Sequence, residues 1–252
     1  MDTAFIGIDL AWRNDKNPSG GAVLIGDRRC ARLIDVNTSL RTFSAVHAYI
    51  EHHANVSTIV AIDAPLVITN RKGQRECETL VGKHYAARQA SCHSSNLTLY
   101  PQAAGVHLAS TLVSQGFRHA PDVPHPESER VILEVYPHPA LIELFQLPSI
   151  IKYKKMGVAR KRGGQRELQQ RLRELAGLTP PLESTPKLSD YLALDTNSLQ
   201  GVNLKANEDG LDAIICAYIA YYYWYWGLRG MHLFGNVDSG YVIVPVGPQI
   251  PS

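Results

Sequence analysis

A chain of 252 residues with 45% hydrophobic content can bury the core of one large domain, and a net charge of +2 supplies no overall basic field of the kind a dedicated nucleic-acid binder carries. Any phosphate contact must therefore come from a local patch. Four scattered cysteines, Cys30, Cys77, Cys92 and Cys216, form neither paired zinc-ligand spacing nor a disulfide framework, and the chain opens on a strand pattern rather than a secretory leader, so a cytoplasmic location is expected.

Three β-like runs come first, at 4–10, 20–26 and 31–37, separated by a turn-rich 14–20 and a charged link at 26–29, as in an antiparallel meander. Ser39 is the expected cap of a helix reaching residue 53, with Phe43, Val46, Tyr49 and Ile50 at roughly helical spacing. The unbroken apolar run at 58–62, ending in Asp63, predicts a strand buried on both faces. Residues 70–130 are the least regular: a helix is expected near 76–90 and a polar, proline-punctuated stretch at 115–130, and the region reads as an insertion or lid. A strand at 131–136 is stopped by Pro137-His-Pro139, and a helix starts at 140–145.

The basic run Lys152-Tyr-Lys-Lys155, with Arg160, Lys161 and Arg162, precedes an amphipathic helix at 165–176, and a proline-rich connector follows at 179–186. Asp209-Gly-Leu-Asp212 then sets two carboxylates three residues apart at the mouth of a helix apolar on nearly every side. Burying that helix end beside two acids is costly unless a cation shares the site. A last strand is expected at 240–245. The stretch at 211–226 is broken by Asp212 and is too short for a membrane span, so no membrane partner is expected. This order of elements predicts an α/β chain, one domain over 1–252, with a mixed sheet covered by helices on both faces.

Further acids end apolar runs upstream, Asp9 and Asp63, and the question is whether they meet Asp209 and Asp212. Each has a local reading as well: Asp9 and Asp63 as turn formers, Asp209 as a helix cap, Asp212 as a partner of the helix dipole. Glu134 sits in an otherwise apolar strand, where a carboxylate needs either an active-site role or an arginine partner. Arg75 and Arg88 could clamp phosphates or lie on a solvated surface. Lys152, Lys154, Lys155 and Arg160 form the best local phosphate patch, with a wet helix face as the alternative. The ten histidines show no zinc-ligand spacing, and Cys92 beside His93 is discounted as a nucleophile pair because sequence neighbours seldom face each other. The aromatic run at 221–226 offers surfaces for base stacking, for the core, or for a homodimer contact.

Gly7-Ile-Asp9-Leu-Ala-Trp12, Ile62-Asp63-Ala-Pro65, Gly73-Gln-Arg75, Glu134-Val-Tyr-Pro137 and Asp209-Gly-Leu-Asp212-Ala, taken in order, resemble the predicted RNase H-like nucleases grouped as domain of unknown function 429. The last fragment is also similar to RuvC-type Holliday junction resolvases. The resemblance covers most of the chain and implies a ribonuclease H-like five-stranded mixed sheet with an inserted helical and loop region. Resolvases tend to carry Glu where this chain has Asp63, and Glu134 adds a fifth acid that they do not need, which would take a ligand role or orient a neighbour.

The resemblance further implies a nuclease using two Mg²⁺ or Mn²⁺ ions roughly 3.5–4 Å apart, ions that prefer carboxylate oxygens. Asp9 would bridge them, Asp63 would complete one sphere, and Asp209 and Asp212 the other; Glu134 counts as a fifth catalytic candidate. The substrate would be nucleic acid, DNA or RNA. The alternatives are a non-catalytic member of the fold that binds a nucleotide or protein, and an actin-like or sugar-kinase-like phosphotransferase, although that scaffold needs a second related domain and a glycine-rich adenosine motif.

Overall fold

The computed structural model describes residues 2–12, 17–123, 129–155 and 157–247. β1 (Thr3–Asp9), β2 (Ser19–Gly26) and β3 (Ala31–Leu40) form the expected antiparallel meander. α1 (Phe43–His53) then carries the chain to β4 (Thr58–Ile62), which lies parallel to β1. α2 (Glu76–Tyr85), α3 (Ala104–Ser114) and the two-residue β5 (Arg118–His119) precede β6 (Arg130–Glu134), parallel to both β4 and β5. After them come α4 (Pro137–Leu144), α5 (Val158–Glu174), α6 (Pro186–Leu192) and α7 (Gly201–Trp226). A separate hairpin of β7 (Met231–Asn236) and β8 (Gly240–Pro245) closes the described chain.

The main sheet has the order β3-β2-β1-β4-β6-β5. Without the short edge strand β5 this is the five-stranded mixed sheet expected from the sequence, and the architecture is consistent with a ribonuclease H-like fold. Strand alternation divides the core into two layers. Phe5, Ile59, Ala61, Val131 and Leu133 belong to the layer that includes α7, whereas Ile6, Ile8, Val60, Ile62 and Ile132 join α1 and α3 on the other face. Both faces are covered, which is why β4 reads as an unbroken apolar run.

α7 crosses the sheet unusually closely, because glycines face it. A Cβ on Gly7 would stand 2.1 Å from the Ala213 carbonyl oxygen and 2.2 Å from the Ala217 nitrogen, and one on Gly20 would stand 2.4 Å from the Asp209 carbonyl oxygen. The aromatic run belongs to the core: Tyr221, Tyr222 and Tyr223 are fully buried. Their hydroxyls donate to the backbone carbonyls of Asp27, Gly247 and Ala120, which leaves the rings free to contribute roughly 1.5–3 kcal/mol each through apolar burial. Those ring faces are therefore not open to bases.

Several boundaries differ from the sequence expectation. Ser39 is still on β3, held by pairing with β2 as far as Leu40; the cap of α1 is Thr42, whose hydroxyl accepts from the Ala45 nitrogen at 3.1 Å. Pro137 and Pro139 lie in the first turns of α4, where a missing N–H costs no helical bond, rather than ahead of it. α5 starts at Val158, so the basic residues 160–162 are within it. α7 starts at Gly201, which places Asp209 inside the helix and removes its reading as a cap. Within the region read as an insertion or lid, α3 supplies Leu108, Ala109 and Leu112 to the second core layer, and α2 supplies Cys77, Val81 and Tyr85 to the first. Residues 14–16 of the expected turn and 124–128 of the proline-punctuated stretch lie outside the described residues. Among the described residues no helix is long and apolar enough to cross a membrane.

The close α7 crossing generates a contrast. Gly7→Ala should destabilise the fold by about 2 kcal/mol or more, since backbone on both sides must move. Gly163→Ala, in an exposed turn of α5 where a Cβ meets nothing within 4 Å, should be neutral or stabilising by up to about 1 kcal/mol. Urea denaturation of the two variants checks this; equal midpoints would show that the glycine contact is not a packing constraint.

Candidate active site

β1 and β4 are parallel, with Ile8 opposite Ile62, so the next residues, Asp9 and Asp63, leave their strand ends side by side. The Asp63 nitrogen donates to the Ile8 carbonyl at 2.9 Å, fixing that register one step further. Asp9 shares the pleat face of Phe5 and Gly7, the face on which α7 lies. Asp209 and Asp212, one helical turn apart on α7, are 2% and 0% exposed and project into the same place.

Two lysines are present among these acids. Lys154 Nζ lies 2.9 Å from Asp212 Oδ2 and 3.7 Å from Asp63 Oδ2. The neighbouring Tyr153 hydroxyl, fully buried, donates to Asp212 Oδ1 at 2.6 Å. Lys205, one turn before Asp209 on α7, donates to Asp209 Oδ1 at 2.5 Å and to Glu208 Oε1 at 2.8 Å. The Asp9 and Asp209 carboxyls lie close enough together for each to shift the other's titration.

Burial dominates the titration of this cluster. Desolvation, with like charge from Asp9, raises both Asp63 and Asp209 to about 8, although Lys154 and Lys205 oppose the shift. Desolvation also raises Asp9, against the pull of Lys154. The lysines remain cationic: burial lowers Lys154, but Asp212, Tyr153 and Asp63 outweigh it and hold it well above the ordinary range.

Glu134 and Arg75 form a separate unit. The parallel register places Glu134 opposite Ile62, so it stands in the pleat with Ile62 rather than with Asp63. Its carboxylate accepts from Arg75 Nη1 and Nη2 at 2.9 and 2.5 Å and from the Leu66 nitrogen at 2.8 Å. Arg75, 3% exposed, also donates to Glu78 and to the Val67 carbonyl. The arginine-partner alternative for Glu134 is thus the one found, and the pair ties down the loop that follows Asp63. Arg75 also borders the cavity beside Asp63, but with its charge engaged by Glu134 and Glu78.

Arg88 pairs with Glu143 at 2.8 Å. Arg160, in the first turn of α5, is exposed and does not border the cavity beside Asp63 and Lys154, whereas Lys152 and Lys155 do. That cavity, of about 500 Å³, is edged by Asp9, Asp63 and Lys154 and walled by Trp12, Tyr136 and Ile151. A smaller one of about 290 Å³ reaches Asp9, Asp209 and Lys205 from the other side.

The residues that sequence reasoning missed are Lys205, Tyr153 and His138. Lys205 was legible as a partner four residues before Asp209, had the helix been extended back to Gly201. His138 borders the larger cavity with a buried, unpartnered Nδ1, and desolvation lowers its pKa to about 3, so the ring is neutral. Cys92 is pushed up by burial and offers no thiolate.

Against a divalent ion, the chemistry of the donors fits: the acids supply hard oxygens, and Asp209 Oδ2 is buried without a hydrogen-bond partner. Asp212 Oδ2 also lacks an aligned hydrogen bond, but the Lys154 ammonium faces it. Among the described residues no group of three or more His, Cys, Asp or Glu is arranged as a ready metal cage.

Fold and site thus define a mixed α/β protein with a lysine-compensated acidic cluster at the carboxyl ends of β1 and β4. The chain belongs to the family described as Protein of unknown function (DUF429), whose model matches residues 7–230. Neither the curated proteins nor the solved structures gave a match.

The raised acids set a pH dependence. Between the unfolded value of 3.8 and the folded value of about 8, Asp63 and Asp209 bind more protons in the folded state, so their contribution to stability declines as pH rises through that interval. Histidines are neutral in both states above about pH 7.5, so from roughly pH 7.5 to 9 the two aspartates titrate with only the buried thiols Cys77, Cys92 and Cys216, which burial pushes up and which add to the fall toward pH 9. The melting temperature should fall across it, with a slope of up to about 1.4 kcal/mol per pH unit per differential proton. The Asp63→Asn/Asp209→Asn double variant should flatten that slope; an unchanged slope would mean the two acids are not the titrating groups.

Proposed function

We propose that this chain is a divalent-metal-dependent nuclease that hydrolyses a phosphodiester of DNA or RNA at the Asp9 cluster. The observation that carries this reading is the convergence of Asp9, Asp63, Asp209 and Asp212 from two strand ends and a helix that are far apart in sequence. Structural acids rarely gather in this way, because each added carboxylate raises the cost of the others.

These acids are the groups that would hold Mg²⁺ or Mn²⁺. Bound there, the ion supplies the positive charge that activates water and stabilises the phosphoryl oxygens. The chain's own residues do the rest. Lys152 and Lys155, exposed at the cavity edge, can neutralise phosphates flanking the scissile one. Trp12 and Tyr136 give aromatic wall against which an unstacked base can lie, and a space of about 500 Å³ suits one such unit rather than a duplex. The neutral His138 ring faces this space, able to accept or donate one hydrogen bond.

A second reading, a non-catalytic nucleotide-binding protein, draws on a specific feature: Lys154 and Lys205 already compensate much of the acidic charge. One experiment separates the two. Under the nuclease reading, single-stranded and branched DNA and RNA are cut when Mn²⁺ is added, and Asp9→Asn lowers the rate by more than the roughly 100-fold that an outer-shell change costs. Arg160→Ala, away from the cavity, should leave the rate within about twofold. Tight binding of a nucleotide with no metal-dependent cleavage would move the assignment to the second reading.

A further inference from the structure

Asp9 stands between two openings rather than at the floor of one. The cavity of about 500 Å³ on one side and the cavity of about 290 Å³ on the other both border Asp9 and Trp12. The smaller space does not end there: Leu10, Ala11 and Asn17 border it and also border a groove of about 720 Å³ flanked by α1 and α3. Trp12 is the ridge between the two sides. Its indole Nε1 donates to the Asp63 carbonyl at 3.1 Å, and its ring meets that of Tyr100 edge-on with centroids 5.6 Å apart, so it is held in place from two directions. A polymer that reaches Asp9 from the Lys152 and Lys155 rim can therefore run on past Trp12 into the groove instead of turning back.

The groove differs from the aspartate cluster in charge. Among the described residues that border it there is no Asp or Glu, whereas Arg41 borders it, exposed and with no ion-pair partner among the described residues. Leu10, Leu40 and Val46 give it a buried apolar floor, and the exposed His107 ring lies stacked on Phe43, with 4.2 Å between centroids and 28° between planes. A cation beside an apolar floor, with a flat ring already fixed in place, matches a nucleotide in both of its parts: the guanidinium takes the phosphate, and the ring takes the base.

We propose that this groove is a second nucleotide subsite, so that a single strand of DNA or RNA crosses Asp9 from one side to the other. One unstacked base occupies the cavity beside Asp63, Trp12 stands between it and its neighbour, and the strand continues on the Arg41 and His107 side. This rests on the nuclease reading and deepens it. A strand held on both sides of the reacting phosphate is cut internally: water adds across one phosphodiester, leaving a phosphate monoester on one fragment and a hydroxyl on the other, and no free end is needed.

The test has a binding arm and a cleavage arm, both on the full chain. In the first, labelled oligothymidylate and oligouridylate are titrated by fluorescence anisotropy in EDTA, where metal-dependent cutting is absent. The Arg41→Ala/His107→Ala double variant should weaken binding by at least about fivefold and lower the slope of log affinity against log salt by about 0.7, the share of one phosphate contact on a single strand. Lys83→Ala, at an exposed position that borders none of the three cavities, should change neither. In the second arm, with Mn²⁺, wild type should cut a closed circular single strand as readily as a linear one. Circular dichroism confirms that the double variant is folded; if it is not, Arg41→Ala alone takes its place. Unchanged affinity and slope in the folded variant, or a wild type that binds no single strand, would overturn the subsite. Cutting of the linear strand with the circle left intact would also overturn it, while the nuclease reading stood. Weakened binding in the variant with no cutting of either form by wild type would keep the groove as a strand-binding site and remove the nuclease reading instead.

Discussion

Carboxylates can be kept out of water only in the company of cations or protons, and that requirement governs the end of the sheet where β1, β4 and α7 meet. Four aspartates share the space, and the chain answers with two lysines from different elements, Lys154 from the segment before α5 and Lys205 from α7 itself. What remains is met by protons, as the raised values of Asp63 and Asp209 indicate. The cluster is therefore poised: every group in it is charged or not according to what its neighbours hold, and an added cation would displace protons rather than enter a neutral void. None of this arises unless α7 approaches the sheet closely enough, and Gly7 and Gly20 are what permit that approach.

Positioning is delegated to groups that do not enter the cluster. Glu134 and Arg75 are a buried ion pair whose spare hydrogen bonds reach the Leu66 nitrogen and the Val67 carbonyl, in the loop immediately after Asp63. A buried pair of this kind contributes little net stability, because desolvation offsets the attraction, but removing either member leaves an uncompensated charge. Its bidentate geometry is directional, which makes it suited to fixing a loop rather than to stabilising the whole fold. Gly164 plays the corresponding part for Lys154, by letting the backbone of Lys152 and Tyr153 lie directly on α5.

The sequence made the sheet legible because burial on both faces leaves a coarse trace: β1, β4 and β6 are runs of apolar residues, and the acids that end β1 and β4 are conspicuous by contrast. Helix ends were harder. The first two turns of α7 are largely polar, and what holds them is tertiary, including Asn207 bonded to Gln165 and the Gln165 amide to the Leu204 carbonyl. No local pattern records that, so Asp209 looked like a beginning. Pro137 and Pro139 carried the opposite error, since a residue that ends one element is equally suited to start the next. β7 was missed because its Met231-His-Leu-Phe-Gly-Asn236 run has neither clean alternation nor length, and only pairing with β8 makes it a strand. The lysines were visible as charges but not as partners, because nothing in the neighbourhood of Lys154 names Asp63 or Asp212.

Alternation along the strands also decides which acid belongs to the site. Asp63 and Glu134 both end parallel strands, one residue apart in register, and that single step assigns them to different pleat positions: Asp63 goes to the α7 side with Asp9, and Glu134 goes with Ile62 to a partner of its own. Had β4 slipped by one residue against β1, Ile62 would face the lysine and Asp63 would be driven into the apolar layer formed with α1 and α3, away from Lys154. The apolar side chains of β4 forbid that slip, because each would lose its own layer of the core. The placement of the acidic cluster is thus enforced by residues that never touch it, and the energy that holds Asp63 in register is the burial of Ile59, Val60, Ala61 and Ile62.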